Sequence, residues 1–109
     1  FSKKIDDAAK FNIKDVIIDP GFGFAKNISQ NFELLNNLDF FKNLKMPLLV
    51  GLSRKSMIYK TLNIKPDKAL NGSTVLQTIS LIKGANILRV HDVKEAIECI
   101  KLIEELKKN

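Results

Sequence analysis

Three clusters of polar residues each follow directly on a short apolar run, and their types suit a flat nitrogen heterocycle and an anion. Asp19 comes straight after Val16-Ile17-Ile18 and opens the loop Asp19-Pro20-Gly21-Phe22-Gly23-Phe24. A carboxylate at that place is expected to be partly buried and to need donors or a cation. It can accept from a planar donor pair such as the amino and ring N–H of a pterin or guanine, or it can simply form a turn before Pro20. The Gly21–Gly23 pair permits a tight loop, and Phe22 and Phe24 either fill the core or stack on a flat ligand.

The second cluster, Gly51-Leu52-Ser53-Arg54-Lys55-Ser56, follows Leu48-Leu49-Val50. Either Ser56 caps a helix below a solvated basic loop, or helix-start N–H groups, the serine hydroxyl and Lys55 hold a carboxylate or phosphate. In the third cluster Arg89 stands beside Ile87 and Leu88, where a guanidinium must be paired or face an anionic ligand. His91, two positions on, points to the same face of an extended segment, so the two donors converge as a pyrophosphate would require.

The elements that must position these clusters follow from the apolar pattern. Residues 16–18, 48–50 and 87–90 are continuous rather than alternating, as parallel strands covered on both faces are. Helical spacing separates them. Leu34, Leu35, Leu38, Phe41 and Leu44 predict one helix, with Ser29 as its N-cap and Met46-Pro47 as its stop. A second helical pattern begins near Lys55 or Ser56 and is punctuated by Pro66-Asp67. Val75, Ile79 and Ile82 mark a third helix ending at Gly84. Asp92 and Glu95 resemble a capping box ahead of Val93, Ile97, Ile100 and Ile103. A leading helix with Ile5, Ala8 and Ala9 on one face precedes everything.

The order α-βα-βα-βα predicts a parallel α/β sheet, and the pattern by itself leaves open a doubly wound sheet or part of a (β/α)8 barrel. In either, the three clusters fall at the C-terminal tips of strands, where chemistry collects. Asp19, Lys55 and Arg89 are therefore expected on one rim. Ile17, Leu49 and Leu88 are expected on an apolar interior face whose exposure would drive association.

Composition narrows the classes. The 109 residues are 45% hydrophobic and 28% charged, as in a globular protein, and contain no apolar run that would cross a membrane. No secretory leader is read, and Phe1 is not expected to be a natural translation start. The net charge of +6 is spread along the chain without interleaved aromatic residues, which disfavours nucleic acid as a partner. The single cysteine, Cys99, excludes an internal disulfide and a cysteine-cluster metal site, and its isoleucine neighbours predict a buried filler.

Together the three motifs resemble successive signatures of the dihydropteroate synthase family, in family order and at family-like spacing across most of the chain. The resemblance implies α/β architecture of one kind: parallel (β/α) units from the C-terminal part of a TIM (β/α)8 barrel, incomplete here, with residues 1–109 one partial pterin-binding domain. It implies condensation of a 6-hydroxymethyl-dihydropterin pyrophosphate with p-aminobenzoate to dihydropteroate and pyrophosphate. Carried over by residue, Asp19 would accept from the pterin, and Lys55 would contact the pterin beside the p-aminobenzoate site. Phe24 and Ser56 would hold p-aminobenzoate, and Arg89 and His91 would bind pyrophosphate. Lys55, Arg89 and His91 are the expected catalytic set.

The family's N-terminal signatures have no counterpart here, so the ligand for its Mg2+ is expected outside this chain. Competition by sulfonamides for the p-aminobenzoate position, a cytoplasmic setting and a homodimeric parent are further implications. Two alternatives are the pterin-binding domain of a corrinoid-dependent methyltransferase and a non-catalytic pterin-binding half-barrel.

Overall fold

The computed structural model describes residues 19–23 and 27–109; the leading helix, the first apolar run and Phe24 lie outside the described residues. Helix α1 spans Ile28–Asn36. Its cap is Asn27 rather than Ser29: Gln30 N donates to Asn27 Oδ1 at 2.7 Å, and Asn27 N donates to Gln30 Oε1 at 3.0 Å. Asparagine caps as well as serine does, and a glutamine three residues on closes the reciprocal box. The single helix expected through Leu44 is broken. The chain leaves α1 at Asn37, whose amide side chain donates to Glu33 O, and Leu38–Leu44 winds as a 3-10 helix. Asparagine side chains compete for backbone groups in this way, which is why they favour helix ends.

Strand β1, Leu49–Val50, pairs in parallel with β2, Ile87–Leu88, in the register Leu49↔Ile87 and Val50↔Leu88. Arg89 N extends the ladder to Val50 O at 2.9 Å. Between the strands run α2, Ser56–Leu62, a 3-10 turn at Pro66–Lys68, and α3, Leu70–Ile82. Gly84, at φ +114°, follows α3 in a conformation that glycine takes without strain. Helix α4, Val93–Lys107, closes the chain against α3.

The register corrects the expected interior face. Partners in a parallel pair point to the same side, so Leu88 lies with Val50 against the helices. Leu49 lies with Ile87 on the opposite, more open side. The strands are therefore not equally covered on both faces. Phe22, Leu35, Leu38, Leu48, Val50, Leu52, Met57 and Ile58 form the main core on the helix side.

The helix faces differ from the apolar stripes as well. Val75 and Ile82 are exposed, whereas Gly72, Ser73, Gln77 and Ser80 of α3 are buried. Small residues let α3 approach its neighbours closely. The hydroxyls of Ser73 and Ser80 remain satisfied by donating to Ala69 O at 2.7 Å and Leu76 O at 2.8 Å. In α4 the buried residues are Ala96, Cys99 and Ile103, while Val93 and Ile97 are exposed. Cys99 is indeed a buried free thiol.

Gly72 gives the sharpest stability test of this packing. A Cβ there would stand 2.4 Å from Ile58 Cγ2, itself buried in α2. Alanine's helix preference returns about 1 kcal/mol, but overpacking a dense core costs about 1–3 kcal/mol. Gly72→Ala is therefore expected to lower Tm by several degrees. An unchanged or raised Tm would mean that Ile58 repacks freely.

Candidate active site

The tips of β1 and β2 carry the second and third clusters, and the loop at residues 19–23 closes over them. Asp19 does two things at once. Its Oδ1 accepts from Gly21 N at 2.9 Å, so the turn reading is realised, and its Oδ2 lies 3.5 Å from Arg89 Nη1. Asp19 and Arg89 are thus brought to one rim. Arg89 lies flat across Gly51, where a Cβ would meet Nη2 at 2.7 Å and Nε at 2.9 Å. Only a residue without a side chain admits the guanidinium there.

Lys55 joins them from the β1 tip. Its Nζ donates to the carbonyl of Phe22, and its aliphatic stem packs over Gly23, whose φ is +85°. Gly23 thus meets both a left-handed backbone and a close neighbour, two independent reasons for glycine. Burial pulls the Lys55 ammonium below its ordinary pKa of 10.5; the positive charge of Arg89 adds to this and the negative charge of Asp19 opposes it. Phe22 is almost wholly buried, so of its two readings the core one holds.

Two cavities meet at Lys55. One of about 340 Å³ is lined by Phe22, Gly23, Arg54, Lys55, Ser56 and Tyr59. The other, of about 120 Å³, is lined by Gly51, Ser53, Lys55, Arg89, Val90 and His91. The first has aromatic, hydroxyl and cationic walls. The second brings Lys55, Arg89 and His91 together, and His91 N donates to Ser53 Oγ at 3.3 Å on its edge. Ser56 is the first residue of α2, but its expected capping role is absent: Lys55 occupies the N-cap position without a side-chain cap bond.

Arg54 is paired within the chain. Nε and Nη2 donate to Asp92 Oδ2 and Oδ1 at 3.1 and 2.6 Å. That hydrogen-bonded pairing raises the Arg54 pKa above its ordinary value and holds the Asp92 carboxyl below the usual carboxylate range. Asp92 consequently does not cap α4. Asn31, fully buried in α1, was not anticipated either. Its Oδ1 accepts from Gly23 N at 2.9 Å, and its Nδ2 donates to Asn27 O at 3.1 Å. A lone amide among Ile28, Phe32 and Leu35 was the available signal for it.

Among the described residues no group of three or more His, Cys, Asp or Glu is placed to hold a metal ion, and no helix is long and apolar enough to cross a membrane. Residues 1–91 match the family model of pterin-binding enzymes. Over 89 residues the chain is 49% identical to the dihydropteroate synthase of Escherichia coli K12, covering 82% of this chain and 32% of that protein. The Yersinia pestis dihydropteroate synthase in complex with a sulfonamide drug superposes with a TM-score of 0.94 at 39% identity, over 99% of this chain and 40% of that one. A Coxiella burnetii dihydropteroate synthase in complex with pteroic acid gives 0.89 at 43% identity, over 93% and 38%. The chain spans about a third of the length of the curated relatives it matches.

Proposed function

We propose that this chain, which belongs to the pterin-binding enzyme family, supplies the C-terminal (β/α) units of a dihydropteroate synthase. In this reading residues 1–109 are one partial domain of an eight-stranded barrel, since the two parallel strands among the described residues cannot close one. The observation that carries it is the pair of adjoining cavities sharing Lys55. One suits a flat aromatic acid and the other a small polyanion, and the shared ammonium stands where their reacting ends would meet.

The reaction joins the aniline nitrogen of p-aminobenzoate to the methylene carbon of the pterin. As that bond forms, the carbon–oxygen bond breaks, its electron pair leaves with pyrophosphate, and the nitrogen releases a proton. The nucleophile needs no activation by a serine or cysteine. The residues contribute placement and charge stabilisation. Arg89 and His91 hold the pyrophosphate as negative charge gathers on it. Asp19 accepts from the pterin ring, and Ser56 and Phe24 hold p-aminobenzoate with Lys55 between the two substrates. The Asp19–Arg89 contact does not oppose this. At 3.5 Å, with side chains 36% and 55% exposed, such a pair contributes at most about 1 kcal/mol, so a pyrophosphate can take over the guanidinium.

Magnesium, in this reading, is bound by residues outside those described. A cytoplasmic setting, a homodimeric parent and competition by sulfonamides for the p-aminobenzoate cavity belong to the same proposal.

The test is direct. The full-length protein, given pterin pyrophosphate and p-aminobenzoate, should release pyrophosphate and dihydropteroate in equal amounts, and residues 1–109 alone should not. Pterin binding by the full-length protein without either product would sink the synthase reading in favour of a pterin-binding or methyl-transfer role.

A further inference from the structure

Arg54 holds three unusual features together. It is one of three non-glycine residues at positive φ among those described, at +56°. That region is sparsely populated by residues with a side chain unless the surroundings impose it. The imposing contacts are visible. Arg54 N donates to Ser73 Oγ of α3 at 2.9 Å, and the guanidinium makes two hydrogen bonds to the Asp92 carboxylate, 38 residues away. A second tie runs parallel to the first, from His91 N to Ser53 Oγ. The tip of β1 is thereby bound to the tip of β2 by neighbouring residues on both sides. Lys55 and Ser56 follow Arg54 directly, and His91 directly precedes Asp92.

We propose that Arg54 and Asp92 are positioning residues, a clasp that sets Lys55 and Ser56 at a fixed distance from Arg89 and His91 through the pairing of its two members, although Arg54 also borders the larger cavity. The inference rests on the functional reading above for its kinetic consequence, not for its geometry. Nε and Nη2 of Arg54 are both taken by Asp92. The fork is matched to a carboxylate in a way a lysine cannot reproduce, so the residue types as well as the charges are explained. The pair is also partly shielded, with side chains 36% and 18% exposed, unlike the looser Asp19–Arg89 contact on the same rim. A displacement of about 1 Å in groups that orient two substrates is enough to lower turnover roughly a hundredfold.

The test uses Arg54→Lys, Asp92→Asn and the double variant Arg54→Met/Asp92→Leu in the full-length protein. Steady-state kinetics, Tm and peptide-resolved hydrogen exchange are measured beside the unmutated protein. Each single variant should lose roughly tenfold to a hundredfold in kcat/KM, and the double should lose no more than the worse single, because the two act through each other. Hydrogen exchange should quicken in residues 53–56 and 89–92 and nowhere else, with Tm nearly unchanged. Unaltered kinetics, losses that multiply in the double, or exchange that rises throughout the chain as Tm falls would each overturn the clasp. Should the unmutated protein show no turnover, the functional reading fails. The exchange arm then still decides whether the two tips are locked together.

Discussion

Replacing Lys55 with methionine in the full-length protein should lower kcat/KM for dihydropteroate formation roughly a hundredfold to a thousandfold, the range for losing one preorganised charge at a reacting centre. Methionine keeps much of the aliphatic stem that packs over Gly23, so the loop at residues 19–23 should stay in place. What disappears is the ammonium shared by the two cavities and its hydrogen bond to the Phe22 carbonyl.

The pH profile separates this from a loss of folding. Burial, reinforced by the charge of Arg89, holds the Lys55 pKa below 10.5. The cationic form is therefore lost at a lower pH than for a solvated lysine. kcat/KM reports groups in the free enzyme, so the unmutated protein should lose activity on the alkaline side below pH 10.5. The methionine variant should lack that descending limb. A loss smaller than tenfold, or an identical alkaline limb in the variant, would remove Lys55 from the site.

The second large effect is expected at a residue with no functional group. Gly51→Ala places a Cβ within 2.7 Å of Arg89 Nη2 and 2.9 Å of Nε, closer than real contacts allow, so the guanidinium must move. The backbone at Gly51 is not in the positive-φ region. Alanine there carries no conformational strain and even restricts the unfolded chain. The usual outcome of a glycine substitution, lost stability, is therefore not expected, and Tm should change little.

Binding of the pyrophosphate end should suffer instead. Charge-assisted hydrogen bonds contribute about 1.5–3 kcal/mol each, so displacing Arg89 should raise KM for the pterin pyrophosphate roughly tenfold to a hundredfold. KM for p-aminobenzoate, whose cavity lies on the other side of Lys55, should change much less. A normal KM for the pterin substrate, or equal rises for both substrates, would show that Arg89 does not hold the leaving group.

Much of this rim was legible in the sequence because its signals are local. Asp19, Lys55, Arg89 and His91 each stand a residue or a few beyond an apolar run, and a charged group there has few structural explanations. The helix start near Ser56 was legible although Ser56 does not cap it, and the breaks at Pro66 and Gly84 followed from the special backbone of proline and glycine. The buried state of Cys99 followed from its isoleucine neighbours. These inferences need only a residue and the few beside it.

Tertiary structure decided what depends on partners distant in the chain. The pairing of Arg54 with Asp92 spans 38 residues, and it turned an expected helix cap into half of an ion pair. Strand register placed Leu49 and Leu88 on opposite faces, because shifting a strand by one residue reverses every side chain on it. The buried face of α3 turned out to be Gly72, Ser73, Gln77, Ser80 and Leu81 rather than Val75 and Ile82. Close approach between helices favours small residues, provided that their hydroxyls can donate back to the helix. Asn31 became essential to the Gly23 loop only when α1 was folded against it. Periodicity records how apolar a position is, whereas packing depends on which surface arrives opposite it, and that surface is contributed by another part of the chain.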